Sequence, residues 1–290
     1  MLSHSRAFAA LGLTLVISVP AIASTTPIAY EGFAYTPNGV LLAGQNGGTG
    51  TWTGAWAENV DTSESGPNDT VLTSGLTYSS SGQSLLTSGG LLHSTGVSSD
   101  DTRTFNPSGN TVLYYSFLLR HDSLGNQGST ADYGGLVING TNAGTDLFVG
   151  DPGENNFISI GQAGTGTGEV SSATTLAMNT VAFLVARVTL NTTNGAADSL
   201  RLYINPTPGS LEASNTDFID KNNLDIGTAF TGVELISGFN AGWTFDELRI
   251  GDSFAAVTPA PEPSSVGLLA IAASGLLLRR RRRTQSTQGI

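Results

Sequence analysis

The sequence predicts an all-β protein folded as an antiparallel sandwich, and three observations predict it. Glycine supplies 37 of 290 residues, about 13% against a usual ~7%. Charged residues make up only 12%, so the Lys and Glu that favour helices are scarce. Short apolar or alternating runs recur between Gly, Asn, Pro and Ser clusters, and after residue 23 only the C-terminal segment reads as a long helix.

Taken in order, residues 1–23 have the layout of a secretory signal. Arg6 sits in a short polar start, an apolar stretch runs from Ala7 to Val19, and Pro20 precedes Ala21-Ile22-Ala23, a small-x-small cleavage pattern around Ala21 and Ala23. The apolar run is shorter than the ~20 residues a span requires. Signal peptidase is therefore expected to release a chain beginning near Ser24.

The body, residues 24–258, is long enough to bury a core without staples, and the chain has no cysteine. Residues 111–120 are apolar and aromatic, suiting a central strand. Residues 135–138 follow, with Asn139-Gly140 as a tight hairpin signal. Residues 146–149 and 156–160 are short strands separated by the turn-rich stretch 150–155. Residues 181–190 alternate, placing Phe183, Val185 and Arg187 on one face and Leu184, Ala186 and Val188 on the other. A turn at 191–197 leads into 199–204, with Leu200, Leu202 and Ile204 on one side. Residues 243–250 form the last strand, and Phe245, Phe254 and Val257 are expected in the core.

Residues 259–290 read as an address. Pro261-Glu262-Pro263 is followed by an apolar stretch, 266–278, and then by Arg279, Arg280, Arg281, Arg282 and Arg283. As a helix the stretch is roughly 20 Å long, short of the ~30 Å hydrocarbon core unless flanking residues extend it. The arginines stay cytoplasmic and hold the body outside. Pro261, Glu262 and Pro263, the short apolar helix and the terminal arginine cluster, in that order behind a signal peptide, resemble the PEP-CTERM sorting signal of Gram-negative and related bacteria. The resemblance implies recognition by an exosortase, a membrane-embedded transpeptidase-like enzyme, and association with producers of extracellular polysaccharide. The motif is then a substrate of another enzyme, and the C-terminal helix is a membrane anchor until processing.

The formal net charge of −11 hides an asymmetry. Residues 24–258 hold six basic residues against 22 acids, a net −16. Such a body repels polyanions like nucleic acid, so sequence-independent nucleic-acid binding is excluded.

The order of the strands has a likeness of its own. A long apolar strand reaches Arg120, a Gly-rich hairpin follows, then 181–190, Leu200-Arg201-Leu202-Tyr203-Ile204-Asn205-Pro206, and Phe245-Asp246-Glu247-Leu248-Arg249-Ile250-Gly251. With Tyr30-Glu31-Gly32-Phe33, the Gly-rich stretch 44–50 and Trp52 to Trp56, it resembles the concanavalin A-like jelly-roll group, which includes laminin-G-like modules. The resemblance implies two antiparallel sheets packed face to face, one often concave. Carbohydrate binding and glycan hydrolysis both occur in that group, so the fold alone does not decide function.

Motifs for chemistry are sparse. Glu58 and Glu64 on one strand would lie about 20 Å apart, whereas retaining glycosidases need ~5 Å. Asp246 and Glu247 are adjacent and are expected on opposite faces of a strand, one structural and one exposed. His93 and His121 are 28 residues apart and no cysteine accompanies them, which excludes sequence-local zinc patterns. Calcium has a candidate in the turn carrying Asp151 and Glu154, since laminin-G-like folds often bind calcium at loops; the other reading is an ordinary acidic turn. Trp52, Trp56 and Trp243 are the glycan-stacking candidates, with core filling as the competing role. The sequence thus points to an exported, non-enzymatic surface or matrix protein with carbohydrate contact as an expectation. A polysaccharide hydrolase or lyase with dispersed acids, or a purely structural or adhesive module, remain the alternatives.

Overall fold

The computed structural model describes residues 26–58, 69–95, 98–125, 132–142, 144–153, 156–164, 168–193, 195–238 and 240–261. The secretory signal with Ala21 and Ala23, residues 59–64, Glu154, Glu262, Pro263, the apolar stretch 266–278 and the five C-terminal arginines lie outside these residues. Among the described residues no helix is long and apolar enough to cross a membrane.

The strands, in chain order, are β1 (Ala29–Glu31), β2 (Val40–Leu41), β3 (Thr49–Gly50), β4 (Ala57–Glu58), β5 (Thr70–Leu72), β6 (Ser79–Ser80), β7 (Gln83–Ser84), β8 (Leu91–Ser94), β9 (Ser98–Thr104) and β10 (Val112–Ser123). They continue with β11 (Gly134–Gly140), β12 (Leu147–Asp151), β13 (Phe157–Gln162), β14 (Val170–Thr175), β15 (Val181–Thr189), β16 (Asp198–Ile204), β17 (Phe218–Leu224), β18 (Phe230–Gly238) and β19 (Gly242–Gly251). One 3-10 turn, Glu212–Ser214, and one short helix, α1 (Phe254–Val257), complete the described elements.

The fold is an antiparallel jelly-roll sandwich. A ten-stranded sheet runs β17-β16-β15-β10-β19-β8-β5-β2, with β1 paired to β19 and β3 paired to β1, and a seven-stranded sheet runs β14-β13-β12-β11-β18-β9-β4. The chain crosses between the sheets from β8 to β9, β10 and β11, meanders through β14, returns for β15 to β17, then crosses twice more for β18 and β19. Strands distant in sequence therefore become neighbours, and β10 lies between β15 and β19.

Side-chain alternation explains the packing. Leu113, Tyr115, Phe117 and Leu119 of β10 and Leu184, Ala186 and Val188 of β15 face Leu136, Ile138, Leu147, Val149, Ile158, Ile160, Val233 and Leu235 of the smaller sheet. The expected split of β15 holds. Phe183 and Val185 point to the opposite, outer face and join a second apolar cluster with Leu118, Tyr203, Leu76, Leu85, Phe254 and Val257. That outer cluster is covered by α1 and by residues 73–90, a strap containing the β6–β7 hairpin.

Two expectations change. Asn139 and Gly140 do not form the hairpin turn: they pair with Gly232 and Phe230 of β18, β11 runs on to Gly140, and β12 begins at Leu147. Long-range pairing outweighs a local dipeptide signal here. Asp246 and Glu247 do not straddle the sheet. The register slips between Ser116–Arg249 and Leu118–Asp246, so Phe117 faces two residues, Glu247 and Leu248. Glu247 takes a φ of 56°. This bulge turns both acids to the outer face beneath the strap, where each is buried. Of the two roles open to the indoles, Trp56 and Trp243 take core filling: they are 1% and 0% exposed.

Candidate functional site

Two polar patches flank the covered centre of the large sheet's outer face, and cross-strand register builds both. At one end, Thr70 of β5 lies opposite His93 of β8, His93 opposite Thr244 of β19, Thr244 opposite Arg120 of β10, and Arg120 opposite Val181 of β15. Asp122, one outward position beyond Arg120, ties this row together. It lies 3.2 Å from His93 Nδ1, accepts from Arg120 Nε, and accepts from the Thr244 hydroxyl. Burial alone would raise the Asp122 carboxyl, but hydrogen bonds from His93, Arg120 and Thr244 prevail and hold it below the ordinary carboxylate value.

At the other end, Arg187, Thr189, Ser199, Arg201, Asp220 and Asn222 line an open depression of about 210 Å³. Three adjacent strands supply them: Arg187 is opposite Arg201, Thr189 opposite Ser199, and Arg201 opposite Asp220. Arg201 grips Asp220 through two parallel bonds, Nε to Oδ1 at 2.7 Å and Nη2 to Oδ2 at 2.8 Å. Its guanidinium carbon sits 3.8 Å from the centre of the Phe218 ring. Those hydrogen bonds hold the Asp220 carboxyl below its ordinary value. Arg187 is less well served. Its Nη1 is 3.6 Å from Glu212 Oε1, its Nε is shielded and unpartnered, and its guanidinium lies over Tyr114 at 6.0 Å. Glu212 itself accepts from Tyr114 at 2.9 Å and Tyr203 at 2.7 Å. Chemically, the depression offers guanidinium, hydroxyl and amide groups on rigid strands, an arrangement that can hydrogen-bond a polyhydroxylated ligand.

The residues singled out from sequence lie elsewhere. Trp52 is half-buried, with Arg103 4.7 Å over its ring and its indole N–H donating to Tyr30 O at 3.2 Å. Trp56 donates to Glu31 at 3.1 Å, and Trp243 stacks at 4.3 Å on His121, itself buried. Neither Trp56 nor Trp243 has a free face for a sugar ring. His93 and His121 project from opposite sides of the same sheet and do not meet. Pro261 is exposed just beyond the last anchored residues.

Of the calcium candidates, Glu154 lies outside the described residues and Asp151 lies within them. Asp151 points inward from β12, its Oδ1 accepts from Gly153 N at 2.9 Å, and burial pushes its carboxyl up to about 7. Among the described residues no group of three or more His, Asp or Glu is placed to hold a metal.

Sequence reading missed Asp122, Thr244, Asp220 and Asn222 as site residues. None carries a local motif, and only the pairing of strands up to 151 residues apart assembles them.

No family model matches this chain, and no curated protein matches it. Solved structures of similar shape include an endo-β-1,4-glucuronan lyase from the fungus Trichoderma reesei, with 12% identity over 82% of this chain and 99% of that one and a TM-score of 0.42. The T. cruzi calreticulin globular domain has 14% identity over 89% and 100%, with a TM-score of 0.43. The carbohydrate-binding module CBM66 from Bacillus subtilis has 12% identity over 63% and 95%, with a TM-score of 0.36. Likeness this distant carries no functional argument.

Proposed function

We propose that this chain is an exported bacterial surface or matrix protein that binds carbohydrate through the outer face of its large sheet. The observation that carries the binding part is the open depression, whose polar groups stand on three rigid strands. Arg201 and Asp220 hold each other in an ion pair, and the lowered Asp220 carboxyl stays ionised at neutral pH. Such a carboxylate orients a ligand better than it transfers protons, so the site suits binding rather than catalysis. Export and sorting rest on the sequence: the signal around Ala21 and Ala23, Pro261-Glu262-Pro263, the apolar stretch and the five arginines. An exosortase and signal peptidase would be the processing enzymes, and the acidic body would be released into hydrated extracellular polysaccharide.

One experiment tests both parts. Protein released from the native host should lack everything after the Pro-Glu-Pro region by intact mass, and should bind at least one glycan on an array. Full-length chain ending at Ile290 contradicts the sorting, and an array without signal, with or without calcium, contradicts the binding.

A second reading, a polysaccharide lyase or hydrolase, has one observation in its favour. His93 has its Nδ1 on Asp122 and shares an open row with Arg120, a base and a cation on one surface. Product formation from a polysaccharide, lost in His93→Ala, would establish it.

A further inference from the structure

We infer that the ligand of this face is an acidic polysaccharide, a chain carrying carboxylate or ester sulfate groups. The inference rests on the carbohydrate reading above and names its ligand class. The first ground is where positive charge is accessible. Arg103, Lys221 and Arg249 are 2%, 3% and 4% exposed, and His121 is 1% exposed. The basic side chains that reach solvent among the described residues are His93, Arg120, Arg187 and Arg201, at 31%, 30%, 42% and 36% exposure. All four stand on the outer face of the large sheet. The outer face of the small sheet carries Asp100 and Glu234 instead, and burial together with the Asp100 charge pushes Glu234 up to about 7. A body with six basic residues and 22 acids between residues 24 and 258 repels an anionic polymer almost everywhere. This face is where the repulsion is cancelled.

The second ground is unspent donor capacity. Arg187 and Arg201 are directly opposed on neighbouring strands, a like-charge pair that costs stability unless something neutralises it. Asp220 answers Arg201. Arg187 has only the 3.6 Å contact with Glu212 and donates no hydrogen bond among the described residues, although a guanidinium carries five N–H groups. Arg120 uses Nε on Asp122 and Nη2 on Thr244 at 3.4 Å, and its Nη1 has no acceptor among the described residues. A carboxylate or sulfate oxygen supplies what these groups lack. The two patches are separated along the strands by six residues, from Val181 opposite Arg120 to Arg187, roughly 20 Å. A polymer can engage both patches where a single sugar cannot, so affinity should rise with chain length.

The test is binding of the mature protein to a polyuronate, a sulfated glycan and a neutral glucan, each at low and high salt. The acidic polymers should bind at low salt and weaken steeply as salt rises. The double variant Arg187→Gln/Arg201→Gln should weaken that binding by about tenfold or more, Arg120→Gln should weaken it less, and Glu234→Gln on the other sheet should not weaken it. Circular dichroism establishes that the variants fold, and the salt dependence of the unaltered protein needs no variant. Equal, salt-insensitive binding of the neutral glucan overturns the acidic assignment and leaves the carbohydrate reading standing. Binding of no polymer overturns both. Acidic-polymer binding unchanged in the double variant moves the site off this face and overturns the inference.

Discussion

Arg103 looks in the sequence like one of six scattered basic residues, yet it ties the N-terminal part of the body to the small sheet. Its Nη1 meets Glu31 at 2.6 Å, Nε meets Gly54 O at 2.9 Å, and Nη2 meets Asn46 and Gly47 at 3.1 and 2.9 Å. Glu31 also accepts from Phe33 N, Tyr35 OH and Trp56 Nε1. Removing one charge from so buried a pair leaves the other uncompensated, so Glu31→Gln should cost about 3–5 kcal/mol of stability. Urea unfolding measures this, and a cost no greater than the ~1 kcal/mol of a surface pair would show the network to be dispensable. The network also explains why the indoles were ambiguous in sequence. Trp52 and Trp56 stand in a Gly-rich stretch that suits either a sugar platform or a core. Arg103, about 50 residues away, decides for the interior by covering Trp52 and lying 5.6 Å from Trp56.

The strap over residues 73–90 is held chiefly by the bulged end of β19. Leu76 N donates to Asp246 at 2.6 Å, Ser88 N to Glu247 at 2.5 Å, and Arg249 pairs with Glu247 while donating to Leu86 O. Leu86 N closes the arrangement on Pro259 O at 2.9 Å. Below it lie Leu118, Phe183 and Tyr203, an apolar strip that would otherwise face water. Glu247→Gln removes the charge that secures Ser88 and Arg249. Losing charge-assisted bonds of about 1.5–3 kcal/mol should speed amide exchange in residues 76–90 by roughly ten- to a hundredfold, while β10 and β15 stay protected. Exchange unchanged in the strap would mean that its apolar contacts hold it alone. The strand β19 was legible from its Trp-Thr-Phe start and apolar alternation. Its bulge was not, because a one-residue slip against β10 leaves no mark on the local pattern of β19.

Across the whole molecule the acids run against the usual pH behaviour. Burial, helped by Asp69 and other acids, pushes Asp101 up to about 10. Burial with Glu247 pushes Asp246 to about 8, and Asp151 and Glu234 reach about 7. A raised folded pKa means that the native state holds more protons than the unfolded chain between about pH 4 and 8, so stability falls as pH rises through that window. Asp122 and Asp220 act oppositely: their lowered values contribute stability that disappears as pH drops below about 4. The melting temperature should therefore peak near pH 4, and Asp101→Asn should flatten the decline above it and raise stability at pH 8. Thermal unfolding from pH 3 to 9 measures the profile, and a melting temperature that climbs steadily from pH 5 to 8 contradicts it.

By itself the sequence determined the all-β class, the long central strands, the inward and outward sets of β15 and β16, and the acidic balance of the body. Those properties follow from composition and from the two-residue period of a strand, both local. Only the tertiary structure decided which face is accessible to a ligand, because the Arg187–Arg201 pair, the Thr70-to-Val181 row, the shared side of Asp246 and Glu247, and the burial of Trp56 and Trp243 all depend on register between strands far apart in the chain. Register is set by the packing of two whole sheets, and no local run of residues encodes it.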